Sequence, residues 1–265
     1  IPGSLVGSEM CIRDSPTPNP RVPAADLDDT LVWTSDAQRV GEAAAARAGR
    51  SGLEGAGEDS DAAVVAAFKA GFKATPWDPE GKTEVTMWRA GLWGAAQAAG
   101  GRGRDAEREL EMQTAFDAER MAAFKWIPGV PALVADLRAR GLALGIITNG
   151  HPDVQRAKLA ACSAAELFRE EEILVGGEEP EPKPAASIFR KACARAQCSE
   201  GEVLMVGDSL ACDILGGHNA GLAGTVWVDR YSRGLPADFS GKPPAHTVAS
   251  VLELPLVLLG NYELP

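Results

Sequence analysis

The sequence is poor in the residues that build disulfide frameworks and metal clusters. Its 265 residues include five cysteines and three histidines. Cys11, Cys162, Cys193, Cys198 and Cys212 form no CxxC pair and are odd in number, which fits a reducing cytosol better than a disulfide scaffold or a zinc site. Positive charge is also short: 26 Lys and Arg face 37 Asp and Glu, for a net charge of −11 and a pI of about 4.9. Such a chain is a poor partner for nucleic acid or an anionic membrane. A phosphorylated ligand would need local cations or a metal to be held at all. No apolar run reaches the ~20 residues that span a bilayer. The expectation is a cytoplasmic protein that binds neither nucleic acid nor membrane, a monomer for want of an exposed apolar stretch.

What is present is an ordinary globular composition, 45% apolar, long enough for one large domain or two modest ones. Residues 1–20 lack a charged start and an apolar core, so they do not read as a signal peptide. Ser8 to Ser15 looks like translated sequencing-adapter sequence, and the segment is expected to be artefactual or disordered. A short apolar approach, Val22 to Ala25, then leads into Asp26-Leu27-Asp28-Asp29-Thr30. Pro23 falls where a central strand is expected, a place proline disfavours.

From Asp36 to Phe124 the pattern is helical. Helices are expected over Asp36–Ala48, Asp61–Phe72, Glu84–Ala99 and Asp105–Phe124. Gly52, Gly55 and Gly57 mark one loop between them, and Thr75 to Pro79 another. From Pro128 onward short apolar strands alternate with helices. Strands are expected at 142–147, 173–175, 203–206 and 224–228, and helices at 131–140, 152–168, 184–196, 210–220 and 251–259. This alternation reads as βαβ units in a buried parallel sheet. The chain is therefore expected to be an α/β protein whose core (21–33 and 127–265) is interrupted after its first strand by a helical insertion (34–126).

Open α/β sheets bind ligands beyond the carboxyl ends of their strands, and polar residues gather there. Asp26 and Asp28 follow the first strand, where period-2 geometry puts both on one side. Thr148, Asn149 and Gly150 follow the second. Lys183 lies between the third strand and its helix. Gly207 and Asp208 follow the fourth, with Asp213 five residues on. Alone, each has an ordinary explanation: an acidic turn, a turn hydroxyl, a surface lysine, a helix cap. Four strand ends in order, each carrying such a group, argue for a site. Paired carboxylates suit phosphoryl transfer, one as nucleophile and one handling the proton. Three converging carboxylates call for a hard cation such as Mg²⁺.

These four stretches, Asp26-Leu-Asp-Asp-Thr30, Thr148-Asn149-Gly150, Lys183-Pro184 and Gly207-Asp208-Ser209…Asp213, resemble the four motifs of the haloacid dehalogenase (HAD) superfamily, in order, over residues 21–260. The resemblance implies a HAD-like Rossmannoid core with a helical C1-type cap. It also implies roles. Asp26 would form an aspartyl-phosphate and Asp28 would act as acid and base. Thr148, Asn149 (through its backbone amide) and Lys183 would bind phosphate. Mg²⁺ would sit on Asp26, the backbone of Asp28 and Asp208, with Asp213 in support. An acid at Asp28 points to phosphate rather than halide chemistry.

Val175-Gly-Gly-Glu178, Lys183-Pro-Ala-Ala-Ser-Ile-Phe189, Asp213-Ile-Leu-Gly-Gly217, Thr225-Val-Trp227 and Ser250-Val-Leu-Glu-Leu-Pro255 are more particular. They resemble the N-acylneuraminate-9-phosphatase family, which implies a small phosphorylated sugar acid as substrate. A phosphatase for another metabolite, a sugar phosphomutase and an inactive binding protein of the same fold stay open at this stage. In the insertion Trp77, Arg89, Trp93 and Lys125 could meet a polar substrate, as could His151 beside the second motif. The aromatic residues there read more simply as a helical core.

Overall fold

Strands whose residues are apolar on both sides need a helical cover on both faces of their sheet. A computed structural model of the chain describes residues 22–50, 58–75 and 84–262. The expectations placed on residues 1–20, on the loop carrying Gly52, Gly55 and Gly57, and on Trp77 lie outside these described residues. Six parallel strands form one sheet: β1 (Val22–Ala25), β2 (Gly145–Thr148), β3 (Ile173–Val175), β4 (Val203–Gly207), β5 (Gly224–Val228) and β6 (His246–Val248). Their order is β3-β2-β1-β4-β5-β6, which places β1 at the centre and the ends of β1, β2 and β4 side by side.

Side chains alternate between two cores, as the strand period requires. Ile146, Ile173, Val175, Leu204 and Val206 enter one, with α5 (Val130–Ala139), α6 (Pro152–Ala161) and α9 (Leu254–Asn261). Ala24, Ile147, Leu174, Val203 and Met205 enter the other, with α7 (Ala186–Arg195) and α8 (Leu215–Ala220). Pro23 is accommodated within β1. The Asp26 amide donates to Val206 O across to β4, 2.9 Å. By alternation the Pro23 nitrogen therefore faces the β2 side, where pairing begins only at Ala24 opposite Gly145.

Between β1 and β2 the chain runs through α1 (Thr34–Arg50), α2 (Glu58–Ala74), α3 (Val85–Ala99) and α4 (Ala106–Ala123). Glu84 and Asp105 sit just outside α3 and α4, and their carboxylates accept the first free amides, as N-caps do. These helices close around their own apolar cluster, separate from the two beside the sheet. Trp93 lies flat on Phe68, with ring centroids 3.6 Å apart and planes 6° from parallel. Its indole N–H donates to Gln113 Oε1 at 3.1 Å. Trp93 is thus a core residue rather than a substrate contact.

Several expected elements differ. The strand expected from 142 begins at Gly145, and the helix expected over 251–259 opens as a 3-10 turn, Val251–Glu253, before α9. The helix expected from 152 to 168 stops at Ala161, and a short 3-10 turn follows. Pro184 does not open α7. The Lys183–Pro184 peptide is cis, the Ala185 amide closes a turn onto Pro182 O at 3.0 Å, and the helix begins at Ala186. The helix expected over 210–220 opens as a π-helical turn, Leu210–Ile214, before α8. Strand β6 is an addition, three residues at the sheet edge.

Candidate active site

Asp26 takes up its position as the first residue beyond β1, and Lys183 reaches it from the far side of β2. The Lys183 ammonium is buried and donates to Asp26 Oδ1, Asp213 Oδ1 and the Ile147 carbonyl, each at 2.6 Å. Burial opposes its charge, but the two carboxylates outweigh that and hold the lysine well above its usual range. Asp213 is fully committed, since its Oδ2 accepts the Ser209 amide at 2.9 Å. Gly207 leaves room for it: a Cβ there would sit 2.2 Å from Asp213 Oδ2.

Oxygens of Asp26, Asp208 and Asp213 lie within 4.8 Å of one another. Burial, with Asp213 and Asp28 adding repulsion, pushes the Asp26 carboxyl well above the usual range against the pull of Lys183. Desolvation and the neighbouring Asp213 and Asp29 push Asp208 up to about 7. One ammonium among these carboxylates leaves an excess of negative charge, which a hard divalent cation fits. Asp213 has both oxygens engaged, so Asp26 and Asp208 are the carboxylates with an oxygen to give. Asp213 suits a supporting place.

Asp28 is held more tightly than its sequence context suggests. Lys158 Nζ lies 2.7 Å from both its oxygens, Gln155 Nε2 donates at 3.0 Å, and the Thr34 hydroxyl donates as well. Burial would raise the carboxyl, but the Lys158 ammonium and the added donors bring it below the usual value. Gln155 and Lys158 come from one face of α6, three residues apart. Neither is apparent in the sequence, where a polar pair on a helix reads as solvent-facing.

Thr148 presents a buried hydroxyl with no partner among the described residues. The Asn149 side chain turns away from Asp26 and pairs with the main chain of Lys183. A cleft of 1130 Å³ opens over this end of the sheet, lined from below by Asp28, Gln155 and Lys158 and from the helical insertion by Arg89 and Arg120. Arg120 is 4% exposed, and its Nε and Nη1 have no hydrogen-bond partner among the described residues. Nor does Arg89 Nε. Desolvation and the adjacent Arg120 bring Arg89 down to about 10. His151 also lines the cleft, whereas Lys125 is exposed and does not. Arg120 was not foreseen, because its helix has acidic and basic residues all round.

Residues 24–221 match the family model of haloacid dehalogenase-like hydrolases. The chain belongs to this family. It is 34% identical to the N-acylneuraminate-9-phosphatase of Homo sapiens over 242 residues, 88% of this chain and 91% of that protein. It is 44% identical to the Rattus norvegicus N-acylneuraminate-9-phosphatase over 129 residues, 49% of this chain and 50% of that one. In the rat comparison the match thus spans about half the length of either protein. Among solved structures, the HAD-hydrolase YfnB of Bacillus subtilis, described as bound to magnesium, superposes with a TM-score of 0.64 at 23% identity. That alignment covers 91% of this chain and 99% of YfnB, a likeness of fold. The family together with the phosphatases the chain matches, the human one over most of its length, supports a phosphoric monoester hydrolase. No helix among the described residues is long and apolar enough to cross a membrane.

Proposed function

We propose that this phosphoric monoester hydrolase removes phosphate from a phosphorylated sugar acid, with N-acylneuraminate 9-phosphate as its favoured substrate. One observation carries the substrate class. Two guanidinium groups with unspent donors, Arg120 buried and Arg89 half-buried with Asp117 3.9 Å from its Nη1, line the same cleft as Asp28. Buried donors without acceptors are costly, and a carboxylate matches a guanidinium in both charge and shape. A substrate with phosphate at one end and a carboxylate at the other would satisfy both walls of the cleft. The human and rat relatives are named for such a substrate.

In this reading residues 21–33 and 127–265 are the catalytic core and 34–126 a cap that supplies the arginines. Asp26 attacks phosphorus through a carboxylate oxygen, and the ester oxygen leaves with a proton from Asp28. Asp28 then takes a proton from water, the water oxygen attacks the phosphorus of the aspartyl-phosphate, and phosphate departs as Asp26 is restored. The Thr148 hydroxyl and the Asn149 amide hold the remaining phosphoryl oxygens. The Lys183 ammonium, whose three protons lie on Asp26, Asp213 and the Ile147 carbonyl, turns one of them from Asp26 to phosphate once Asp26 has bonded to phosphorus. To act as the acid Asp28, a carboxylate while paired with Lys158, must part from that ammonium as the ester oxygen arrives and take up from solvent the proton it passes on, which frees the Lys158 ammonium for an incoming anion. Mg²⁺ would be held by Asp26, the Asp28 carbonyl and Asp208 with Asp213 behind them, and would supply positive charge against which carboxylate and phosphate can approach.

The test is phosphate release from a panel of phosphomonoesters including N-acetylneuraminate 9-phosphate, a nucleotide, phosphoglycolate and a neutral sugar phosphate, with and without Mg²⁺. Preference for the sugar acid, lost without Mg²⁺ and in Asp26→Asn, is expected. Equal turnover across the panel would sink the substrate assignment. Formation of an isomer in place of free phosphate would reassign the chain as a mutase.

A further inference from the structure

Lys183 is the one buried cation touching Asp26 among the described residues, and it sits on a long flexible side chain. Its accuracy depends on how its own backbone is held. The Asn149 side chain holds both ends of that residue: Nδ2 donates to the Lys183 carbonyl at 2.7 Å, and Oδ1 accepts the Lys183 amide at 2.9 Å. A side-chain amide carries a donor and an acceptor side by side, so it can pair with one residue's main chain as a neighbouring strand would. Aspartate offers no donor, serine is too short to span both groups, and glutamine is one methylene too long for the space.

That space is tightly drawn. A Cβ on Gly176 would sit 2.6 Å from Asn149 Oδ1 and 3.0 Å from Pro182 Cβ. A Cβ on Gly177 would sit 2.4 Å from the Gly150 carbonyl. The Gly176-Gly177 pair after β3 is therefore the gap in which Asn149 and Gly150 lie. On the far side of the turn, Asn219 Nδ2 donates to the Pro184 carbonyl at 3.0 Å. With the backbone so held, the ammonium meets Asp26, Asp213 and Ile147 O together, each at 2.6 Å.

We propose that the Asn149 side chain is a positioning residue: it places Lys183 for phosphate, and Gly176 provides the space it needs. The effect on the reaction passes through Lys183, separately from any contact of the Asn149 amide with substrate. The inference rests on Lys183 being the cation that faces phosphate, and is independent of which ester is hydrolysed.

The experiment measures competitive inhibition by inorganic phosphate of 4-nitrophenyl phosphate hydrolysis, in the full chain with Mg²⁺. Where turnover is too slow, phosphate binding is read by calorimetry. Asn149→Ala, Gly176→Ala, the double variant and Lys183→Met are compared with the parent. Loss of a hydrogen bond to a charged group weakens binding roughly 10- to 100-fold, so a rise in the phosphate Ki of about that size is expected for Asn149→Ala. Gly176→Ala changes no polar group yet should raise Ki in the same direction. The double variant should lie close to Asn149→Ala alone, because the new methyl then has no amide to displace and meets only Pro182 Cβ and the Asn149 main chain, at 3.0 and 3.4 Å. A residue that merely stabilised the turn would lower the melting temperature and the active fraction and leave Ki alone. Ki within twofold of the parent in folded Asn149→Ala would overturn the proposal. If that variant does not fold, an unchanged Ki in Gly176→Ala overturns it equally. Should Lys183→Met itself keep the parent Ki, the phosphate role of Lys183 is wrong and the inference falls with it.

Discussion

Replacing Arg120 with methionine should make the protein more stable and a worse enzyme. Arg120 is 4% exposed, its Nε and Nη1 find no acceptor among the described residues, and Arg89 stands beside it. Desolvation outweighs the pull of Asp28, Asp117 and Glu42, so its guanidinium is held below the usual arginine range and its charge is disfavoured where it stands. The guanidinium carbon lies 5.5 Å from the Phe116 ring centroid; methionine gives up that cation–π contact but keeps an apolar chain near the ring and removes the charge with its unmet donors. An unsatisfied buried group costs ~1–3 kcal/mol, more when charged. Removing it should raise the melting temperature by roughly 2–12 °C, at about 2–4 °C per kcal/mol for chains near this size. The same change takes away a carboxylate partner, so kcat/KM for the sugar acid should fall on the order of 10²-fold. Differential scanning calorimetry in the absence of substrate reads the first effect and steady-state kinetics the second. A lower melting temperature in Arg120→Met would refute the reasoning, because it would mean that the guanidinium is satisfied in the folded chain.

Mg²⁺ affinity should rise with pH up to about 7 and level off above it, since Asp208 must lose a proton from a carboxyl raised to about 7. In the metal-free protein the sign is the reverse. The folded chain keeps on Asp208 a proton that the unfolded chain loses near 3.8, so this group makes stability fall as pH rises from 3.8 to about 7. Melting curves with and without Mg²⁺ at pH 5 and pH 8 should therefore diverge most at pH 8. In Lys158→Met, burial of Asp28 is no longer countered by the ammonium, so its carboxyl should rise, it should keep the proton it gives the ester oxygen to higher pH, and the alkaline limb of the pH–rate profile should move up; an unmoved limb would detach Asp28 from that proton transfer. Trp93→Ala should cost ~3–5 kcal/mol by opening the insertion's core against Phe68, which urea titration would measure; a loss of substrate affinity with no loss of stability would return Trp93 to the cleft.

The carboxylate cluster around Asp26 was readable because its residues come straight off strand ends. Asp26, Thr148 and Asp208 each follow an apolar run, and the sheet order brings those ends together whatever the connections do. Lys183 could be placed near them because it lies in the loop after β3. The other end could not be read in the same way. Gln155, Lys158 and Arg120 lie on helices, where a polar residue looks the same whether it faces water or a cleft. Only the packing of α4 and α6 at the mouth of the sheet tells them apart. Strand β6 escaped notice because three residues beyond a proline-rich loop carry no periodicity of their own. Pro23 looked harmful because the sequence does not say where pairing with β2 begins.

The measurement that tests the central claim most directly is kcat/KM for N-acetylneuraminate 9-phosphate against its methyl ester. The two share the phosphate, the leaving group and nearly all their shape, and differ in the charge offered to Arg89 and Arg120. If those arginines receive the acid, the free carboxylate should be preferred by about 100-fold, the scale of leaving a buried charge unpaired, and the preference should shrink in Arg120→Met. Equal rates for acid and ester, with phosphate released from both, would contradict the account at its core.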